Sequence, residues 1–373
     1  HRDLHSFPTR RSSDLLFKCI ALSSSNTEIA KQTFLLHLSM ICDNKWIEAD
    51  RTQGIELSVL RELIGAAPAG SINLALGELG YTYPESLREQ AISILEAGSP
   101  QYTPNAGLPL LREAISLYDK TGGCTNEICV CNGVEEALFI SLQTILNPGD
   151  VIAIPDPDYS AYPALVKLVG AKIERLPLSG DLKSIMWDEW ISVLGSGVKV
   201  LLLSHPSNPA GYTFSEEDLR VLQEILNRNE IILIVDEIYQ QLYLDTPWEL
   251  DFSGFNRVIR VSGVSKSHLM SGWRIGWIIA PEAIMKSMVK VKQYVSTCSS
   301  WVSQKLTIYA LQDISLQQYV RNQLRRSREV CLNLLNHSYA LSSYNMSNVH
   351  SPMFTPYIDR KSTRLNSSHR IRS

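Results

Sequence analysis

The sequence predicts an α/β fold in which helices flank a mostly parallel central sheet. From about residue 128, short apolar runs rich in β-branched residues alternate with segments of helical periodicity. The runs are continuous rather than alternating, as at 231–235 (Ile-Ile-Leu-Ile-Val), which indicates strands buried on both faces. The chain has 373 residues, of which 45% are hydrophobic. That length allows one large core and a second, smaller α+β domain.

The elements follow from local signals. Predicted strands cover 128–131, 151–154, 172–178, 199–203, 231–235, 258–261 and 275–280, and a late β-rich piece covers 348–358. Predicted helices cover 134–146, 161–169, 216–227, 281–296, 302–311 and 316–335. The first helix stops at Asn-Pro-Gly-Asp (147–150), and Ser215 is a typical N-cap for the third.

The domain boundaries come from changes in this pattern. Residues 76–315 are predicted to form the large domain, and residues 40–75 and 316–360 together the small one. Residues 1–15 and 361–373 are rich in Arg, Ser and His and show no apolar periodicity. We therefore expect 1–39 to be a non-native or upstream segment, 361–373 to be a non-native tail, and Met40 to be a plausible natural start.

Composition excludes several classes of function. The net charge of −3 gives no reason to expect nucleic acid or an anionic membrane as a partner. No apolar run approaches the roughly 20 residues that a bilayer span needs. The seven cysteines are scattered and match no zinc spacing. We expect reduced thiols in a cytoplasmic protein, and no metal site.

The segment at 262–274 (Ser-Gly-Val-Ser-Lys-Ser-His-Leu-Met-Ser-Gly-Trp-Arg) carries the strongest functional signal. It places Lys266 just after a predicted strand and Arg274 eight residues further on. A lysine amine in this setting can form a Schiff base with a carbonyl cofactor, and a guanidinium can clamp that cofactor's phosphate. The alternative is an ordinary solvated loop lysine.

Four other predicted strands end in residues suited to a ligand site, since ligands bind at the carboxyl ends of strands in open α/β sheets. Gly133 opens a helix whose N-terminal N–H groups suit a phosphate, although such a glycine is more often only a turn. Tyr159 ends a Pro-rich loop, and Asn208 lies in an Asn-Pro turn. Asp236 ends the most apolar strand, where burial of a carboxylate is costly unless the carboxylate is paired. The alternative is that Asp236 only caps a helix.

Two upstream segments complete the pattern: Gln-Tyr-Thr-Pro-Asn-Ala-Gly-Leu-Pro-Leu-Leu-Arg at 101–112, and Ile-Asn-Leu-Ala-Leu-Gly-Glu at 72–78. Together these pieces resemble, in the correct order, the class I/II aminotransferases, the aspartate aminotransferase-like enzymes of PLP-dependent transferase fold type I. The resemblance covers 73–281 and continues more loosely to about 358. It implies pyridoxal 5'-phosphate (PLP) as cofactor, and an L-amino acid and a 2-oxo acid as substrates.

The resemblance also implies roles for individual residues. Lys266 would hold PLP and act as general base, with a pKa lowered by neighbouring cations, while Asp236 would keep the ring nitrogen protonated. The other cofactor contacts would come from Tyr159 stacking on the ring, Tyr239 and Asn208 at the phenolic oxygen, and Gly133, Val134, Glu135, Ser265 and Arg274 at the phosphate. Tyr102 would reach the phosphate of a neighbouring subunit, which implies a homodimer, and the Gly77 backbone would donate to the substrate carboxylate.

The chain departs from the family pattern at two places. Many relatives have a phosphate-binding serine where this chain has Gly263, although some have glycine. No residue matches the family's late arginine for the substrate α-carboxylate. We therefore expect a truncated chain in which PLP binding survives better than turnover.

The predicted function is transfer of an amino group between an L-amino acid and a 2-oxo acid. The alternatives are another PLP reaction on the same fold, such as that of a β-lyase or decarboxylase, and an impaired fragment that still binds PLP. A ligand sensor in a transcription regulator is a different class. It would need an N-terminal winged helix, for which the residues before Met40 are too few.

Overall fold

The computed structural model describes residues 48–71, 77–121, 124–180, 182, 184–244, 250–337, 349–350 and 359–360. All of the described helices and strands lie within one compact unit that begins at Gly54. The predicted segments 1–39 and 361–373, and most of the predicted β-rich piece at 348–358, lie outside the described residues. The division into a large and a small domain stays a prediction.

Helices make up much of the described chain. They are α1 (Val59–Ala66), α2 (Glu85–Glu96), α3 (Pro109–Tyr118), α4 (Val134–Ile145), α5 (Tyr162–Leu168), α6 (Trp187–Leu194), α7 (Glu216–Arg228), α8 (Glu282–Ser296), α9 (Trp301–Gln312) and α10 (Ile314–His337). Short 3₁₀ turns lie at Thr125–Glu127, Gln240–Leu242 and Ser271–Trp273. As predicted, Ser215 caps α7: its hydroxyl accepts from the Asp218 N–H in a capping box. No described helix is long and apolar enough to cross a membrane.

The described strands form a seven-stranded sheet and a two-stranded sheet. They are β1 (Ile128–Cys131), β2 (Val151–Asp156), β3 (Lys172–Pro177), β4 (Val200–Ser204), β5 (Ile232–Asp236), β6 (Val258–Gly263), β7 (Gly276–Ile279), β8 (Val349–His350) and β9 (Asp359–Arg360). The sheet order is β1-β7-β6-β5-β4-β2-β3. Only β7 runs antiparallel to its neighbours, so the other six strands point the same way. β8 and β9 pair antiparallel.

The central strands are buried on both faces. In β4, Leu202 packs in the core beneath α4, while its neighbours Leu201 and Leu203 pack in the core beneath α7. In β5, Ile234 packs in the core beneath α4 and Val235 packs in the core beneath α7. This burial explains the continuous apolar runs, because successive residues of such a strand face one core or the other.

The predicted fold class is confirmed, and the seven strands predicted between residues 128 and 280 agree with β1–β7 to within two residues at every end. Four helices were not predicted: α1, α2, α3 and α6. The first three precede the region where alternation is evident. α2 has a narrow buried stripe, formed by Leu87, Ala91 and Ile94, and most of its other residues are exposed.

Candidate active site

The candidate site lies at the edge of the sheet where the parallel strands end. β4 ends at Ser204, which lies opposite Asp236 at the end of β5. β6 ends at Gly263, which lies opposite Gly276 at the start of the antiparallel strand β7. The segments that follow β1, β4, β5 and β6 and the segment that precedes β7 therefore converge at one edge.

Lys266 lies in the loop after β6 and is partly buried. Its amine donates to the Gly77 carbonyl (Nζ–O 2.6 Å) and lies 5.9 Å from the centre of the Tyr239 ring. Burial lowers the pKa of this amine; Glu78 opposes the shift, Arg274 adds to it and Asp236 opposes it. The direction of the shift agrees with the sequence-based expectation, but its largest cause is burial rather than neighbouring cations.

Asp236 is 4% exposed at the end of β5. Its Oδ2 accepts from the Tyr162 hydroxyl at 3.0 Å, and its Oδ1 accepts from the Ile238 N–H at 3.1 Å. Burial raises the pKa of this carboxyl to about 6, against the hydrogen bonds from Ile238 and Tyr162 and the charge of Lys266. The carboxylate therefore has a low-dielectric surrounding in which a further cation would stabilise it strongly.

Gly133 and Arg274 form a seat for an anion at the start of α4. Gly133 is the N-cap of this helix with φ +93°, and a Cβ on it would collide with the Arg274 guanidinium. Arg274 donates to the Ser271 carbonyl at 3.0 Å and to the Asn132 carbonyl at 3.4 Å. The positive end of the helix dipole and a guanidinium thus lie side by side.

Gly263 and Gly276 allow β6, β7 and α4 to approach one another closely. A Cβ on Gly276 would lie 2.7 Å from the backbone of Gly133 and Val134. A Cβ on Gly263 would lie 2.8 Å from the Ile275 carbonyl oxygen. A serine at position 263 would therefore collide with backbone, which is a physical reason for glycine at this departure from the family pattern.

Tyr159 and Asn208 flank Asp236 on the side of β2 and β4. The Tyr159 ring packs edge-on against Tyr162, with centroids 5.4 Å apart. The Asn208 N–H donates to the Ser204 hydroxyl at 2.8 Å. Tyr162 thus touches both Asp236 and Tyr159, a role that sequence reasoning missed because it interpreted this residue only as part of a helix.

The other predicted residues differ in position. Tyr239 is buried and Ser265 half-buried, whereas Glu135 is exposed as the second residue of α4. Tyr102 is 90% exposed and so is not part of this buried group. The Gly77 carbonyl accepts from Lys266, whereas its N–H was the group predicted to act.

Comparison with known proteins identifies the family. The model of the family described as aminotransferase class I and II matches residues 69–357.

The chain belongs to the class I and II aminotransferases.

Named relatives of this aminotransferase differ in substrate. The chain is 33% identical to a probable N-acetyl-LL-diaminopimelate aminotransferase of Bacillus subtilis, over 70% of this chain and 68% of the relative. It is 31% identical to an aspartate aminotransferase of Musicola paradisiaca, over 79% and 78%. The solved aromatic aminotransferase of Pyrococcus horikoshii is 30% identical with a TM-score of 0.65, over 70% of this chain and 74% of that one. The comparisons therefore show an aminotransferase and leave its substrates open.

The site of this aminotransferase fits the cofactor on which its family depends, PLP. The anion seat at Gly133 and Arg274 suits a phosphate. The buried Asp236 suits a protonated ring nitrogen, and the Lys266 amine suits an aldehyde. Among the described residues, no cluster of three or more His, Cys, Asp or Glu is placed to hold a metal ion.

Proposed function

We propose that this aminotransferase binds PLP through Lys266 and moves an amino group between an L-amino acid and a 2-oxo acid. The observation that carries the proposal is the convergence of Lys266, Asp236 and the Gly133–Arg274 seat at one strand edge. An amine, a buried carboxylate and an anion seat match the aldehyde, ring nitrogen and phosphate of PLP. Each of these groups comes from a different strand end, so the match does not rest on one motif.

The residues proposed to hold the cofactor fall into three groups. The backbone of Gly133, Val134 and Glu135 with the Ser265 and Arg274 side chains would bind the phosphate, Tyr159 and Asp236 would bind the ring, and Asn208 and Tyr239 would bind the phenolic oxygen. When bound, PLP would supply an electron sink for the charge left at the substrate α-carbon.

The Lys266 amine would move the substrate proton. Burial lowers its pKa, which increases the fraction of neutral amine near neutral pH, and a general base must be neutral to accept a proton. The amine donates an N–H to the Gly77 carbonyl, and this bond leaves the lone pair of a neutral amine available to accept that proton. Asp236 would hold the proton on the ring nitrogen, because its buried carboxylate is stabilised by an adjacent positive charge.

The assembly and location of the protein are part of the same proposal. We propose a homodimer in which Tyr102 reaches the neighbouring subunit's phosphate; its 90% exposed side chain is free to do so. We propose a cytoplasmic location, which the free thiols of Cys124, Cys129, Cys131, Cys298 and Cys331 support.

An absorbance scan of the protein with PLP tests the proposal. Adding PLP should produce a visible band that Lys266→Ala abolishes. Adding a substrate amino acid should remove the band, and adding a 2-oxo acid should restore it. Ammonia and pyruvate released without a 2-oxo acid would instead indicate a β-lyase. A band that no amino acid changes would contradict the proposal of amino-group transfer.

A further inference from the structure

A buried ion pair lies directly behind the anion seat. Lys292 of α8 is 0% exposed, and its amine donates to Glu136 Oε2 at 2.9 Å and to the Ser296 hydroxyl at 2.6 Å. Asn132 completes this group, because its side chain donates to Glu136 Oε1 at 3.1 Å and to Ser296 at 3.2 Å. We call Asn132, Glu136, Lys292 and Ser296 the anchor cluster.

The anchor cluster holds the turn on which the seat is built. Glu136 is the third residue of α4, and its Oε2 accepts from the Asn132 N–H at 2.6 Å. The Asn132 carbonyl in turn accepts from the Arg274 guanidinium, and Gly133 follows as the N-cap. Lys292 therefore reaches the seat through a continuous chain of contacts: Glu136, then Asn132, then Arg274.

Glu136 brings an electrostatic problem to this position. A carboxylate in the first turn of a helix is favourable for the helix dipole, but here it lies beside a site for an anion and repels it. Burial by itself would raise the pKa of the Glu136 carboxyl. Hydrogen bonds from Ser296, the Asn132 N–H and Lys292, with the charge of Lys292, outweigh burial and lower the pKa, so the group is ionised. The buried Lys292 ammonium supplies the charge that offsets it.

We propose that Lys292 is a positioning residue for the cofactor phosphate, fixing the Asn132–Gly133 turn through Glu136 and cancelling the carboxylate's repulsion of the phosphate. The proposal rests on the proposed function only in naming PLP as the source of that phosphate. Lys292 acts on the seat through Glu136 and Asn132, so its effect is indirect.

The sign of the charge separates this role from packing. Lys292→Met leaves a negative charge behind the seat, whereas Glu136→Gln leaves a positive one and retains an oxygen for the Asn132 N–H. If the role is electrostatic, the first variant weakens phosphate binding and the second does not. A purely structural role would make both variants equally harmful. Lys199→Met is the matched control, because it breaks a 2.6 Å ion pair with Asp150 at the opposite edge of the sheet.

The measurement is the affinity of the full chain for PLP divided by its affinity for pyridoxal, which lacks the phosphate, by absorbance titration. Lys292→Met should lower this ratio about tenfold, since the uncompensated Glu136 carboxylate would then repel the phosphate, and such a charge acting across a partly buried site is worth on the order of 1 kcal/mol or more. Glu136→Gln and Lys199→Met should leave it within about threefold. A ratio that Lys292→Met leaves unchanged, or that both cluster variants lower equally, overturns the proposal.

Inorganic phosphate separates this proposal from the proposed function. Phosphate should raise the Tm of the wild-type protein and of Lys199→Met, but not that of Lys292→Met. If the wild type fails to bind PLP and this pattern still holds, the proposed cofactor is wrong and the role of Lys292 stands. If phosphate stabilises the wild type and Lys292→Met equally, or stabilises neither, the role of Lys292 is refuted.

Discussion

Replacing Asp236 with asparagine should change how the stability of the apo protein depends on pH. Burial raises the pKa of this carboxyl from 3.8 to about 6. Between these two values the folded state binds more protons at Asp236 than the unfolded state, so the contribution of this carboxyl to stability falls as the pH rises from about 4 to about 6 and then stays level. The pKa of Asp236 is raised by about two units, and each unit corresponds to about 1.4 kcal/mol, so the free energy of unfolding loses about 3 kcal/mol in total. About half of this loss occurs between pH 5 and pH 8.

The assay is urea unfolding of the wild type and Asp236→Asn at pH 5 and pH 8. Titrations common to both proteins cancel, so the wild type should lose about 1.5 kcal/mol more than the variant between these values. The neighbouring Glu237 adds to the difference: its pKa is raised to about 7 by burial despite Arg260, and the charge of Asp236 contributes to that rise. The coupling to Glu237 therefore increases the expected difference.

Asp218→Asn provides the matched control. Asp218 also accepts from a tyrosine hydroxyl, that of Tyr212 at 2.6 Å. Burial is outweighed there by hydrogen bonds from Tyr212, Ser215 and Trp187, so the pKa is lowered and the group titrates below this pH window. The control should therefore match the wild type. Identical pH dependence in the wild type and Asp236→Asn, or a steeper loss in the variant, would refute the reasoning.

Three further predictions concern glycines at the site and buried histidines. Gly133→Ala should weaken PLP binding about tenfold or more in an absorbance titration, because the added Cβ would collide with the Arg274 guanidinium. Gly197→Ala is the control and should not weaken binding, because Gly197 has nearly the same φ (+91°) but no atom close to an added Cβ. Gly263→Ser should lower the Tm through a cost of about 1–3 kcal/mol, and an unchanged Tm with tighter phosphate binding would contradict the steric argument. His205 and His268 are buried, and burial lowers the pKa of each to about 3. For His268, nearby charges make smaller contributions. Unfolding by urea should therefore become easier as the pH falls from about 6.5 towards 3, and less so when both are replaced by glutamine.

The strand ends were predictable because two physical requirements coincide there. A strand buried on both faces must be apolar along its whole length, so a polar residue directly after it stands out, as Asp236 does after Ile232–Val235. The parallel direction of the strands then places such residues at one edge. Gly133, Asn208 and Lys266 became recognisable by the same argument, supported by the family pattern.

The groups behind the site were not predictable in this way. Tyr162 donates to Asp236 across 74 residues of chain, and Lys292 donates to Glu136 across 156. Both residues lie on helices. The local sequence around a helical tyrosine or lysine does not show whether its polar group is exposed to water or bonded to a buried partner. Only the packing of α5 and α8 against the sheet brings them to their carboxylates.

The contrast between two adjacent acids supports the assignment of the ring nitrogen to Asp236. Glu237 is fully buried and accepts from the Arg260 guanidinium at 2.8 Å, so a cation of the chain itself compensates part of its burial. Asp236 accepts instead from neutral donors, the Ile238 N–H and the Tyr162 hydroxyl, and Lys266 acts on it only through its charge. Neutral donors fix the direction of a carboxylate without cancelling its charge, so a cation brought by a ligand gains more at Asp236 than at Glu237. A protonated ring nitrogen at Asp236 would supply that charge, and the raised pKa of Asp236 should then fall when PLP binds.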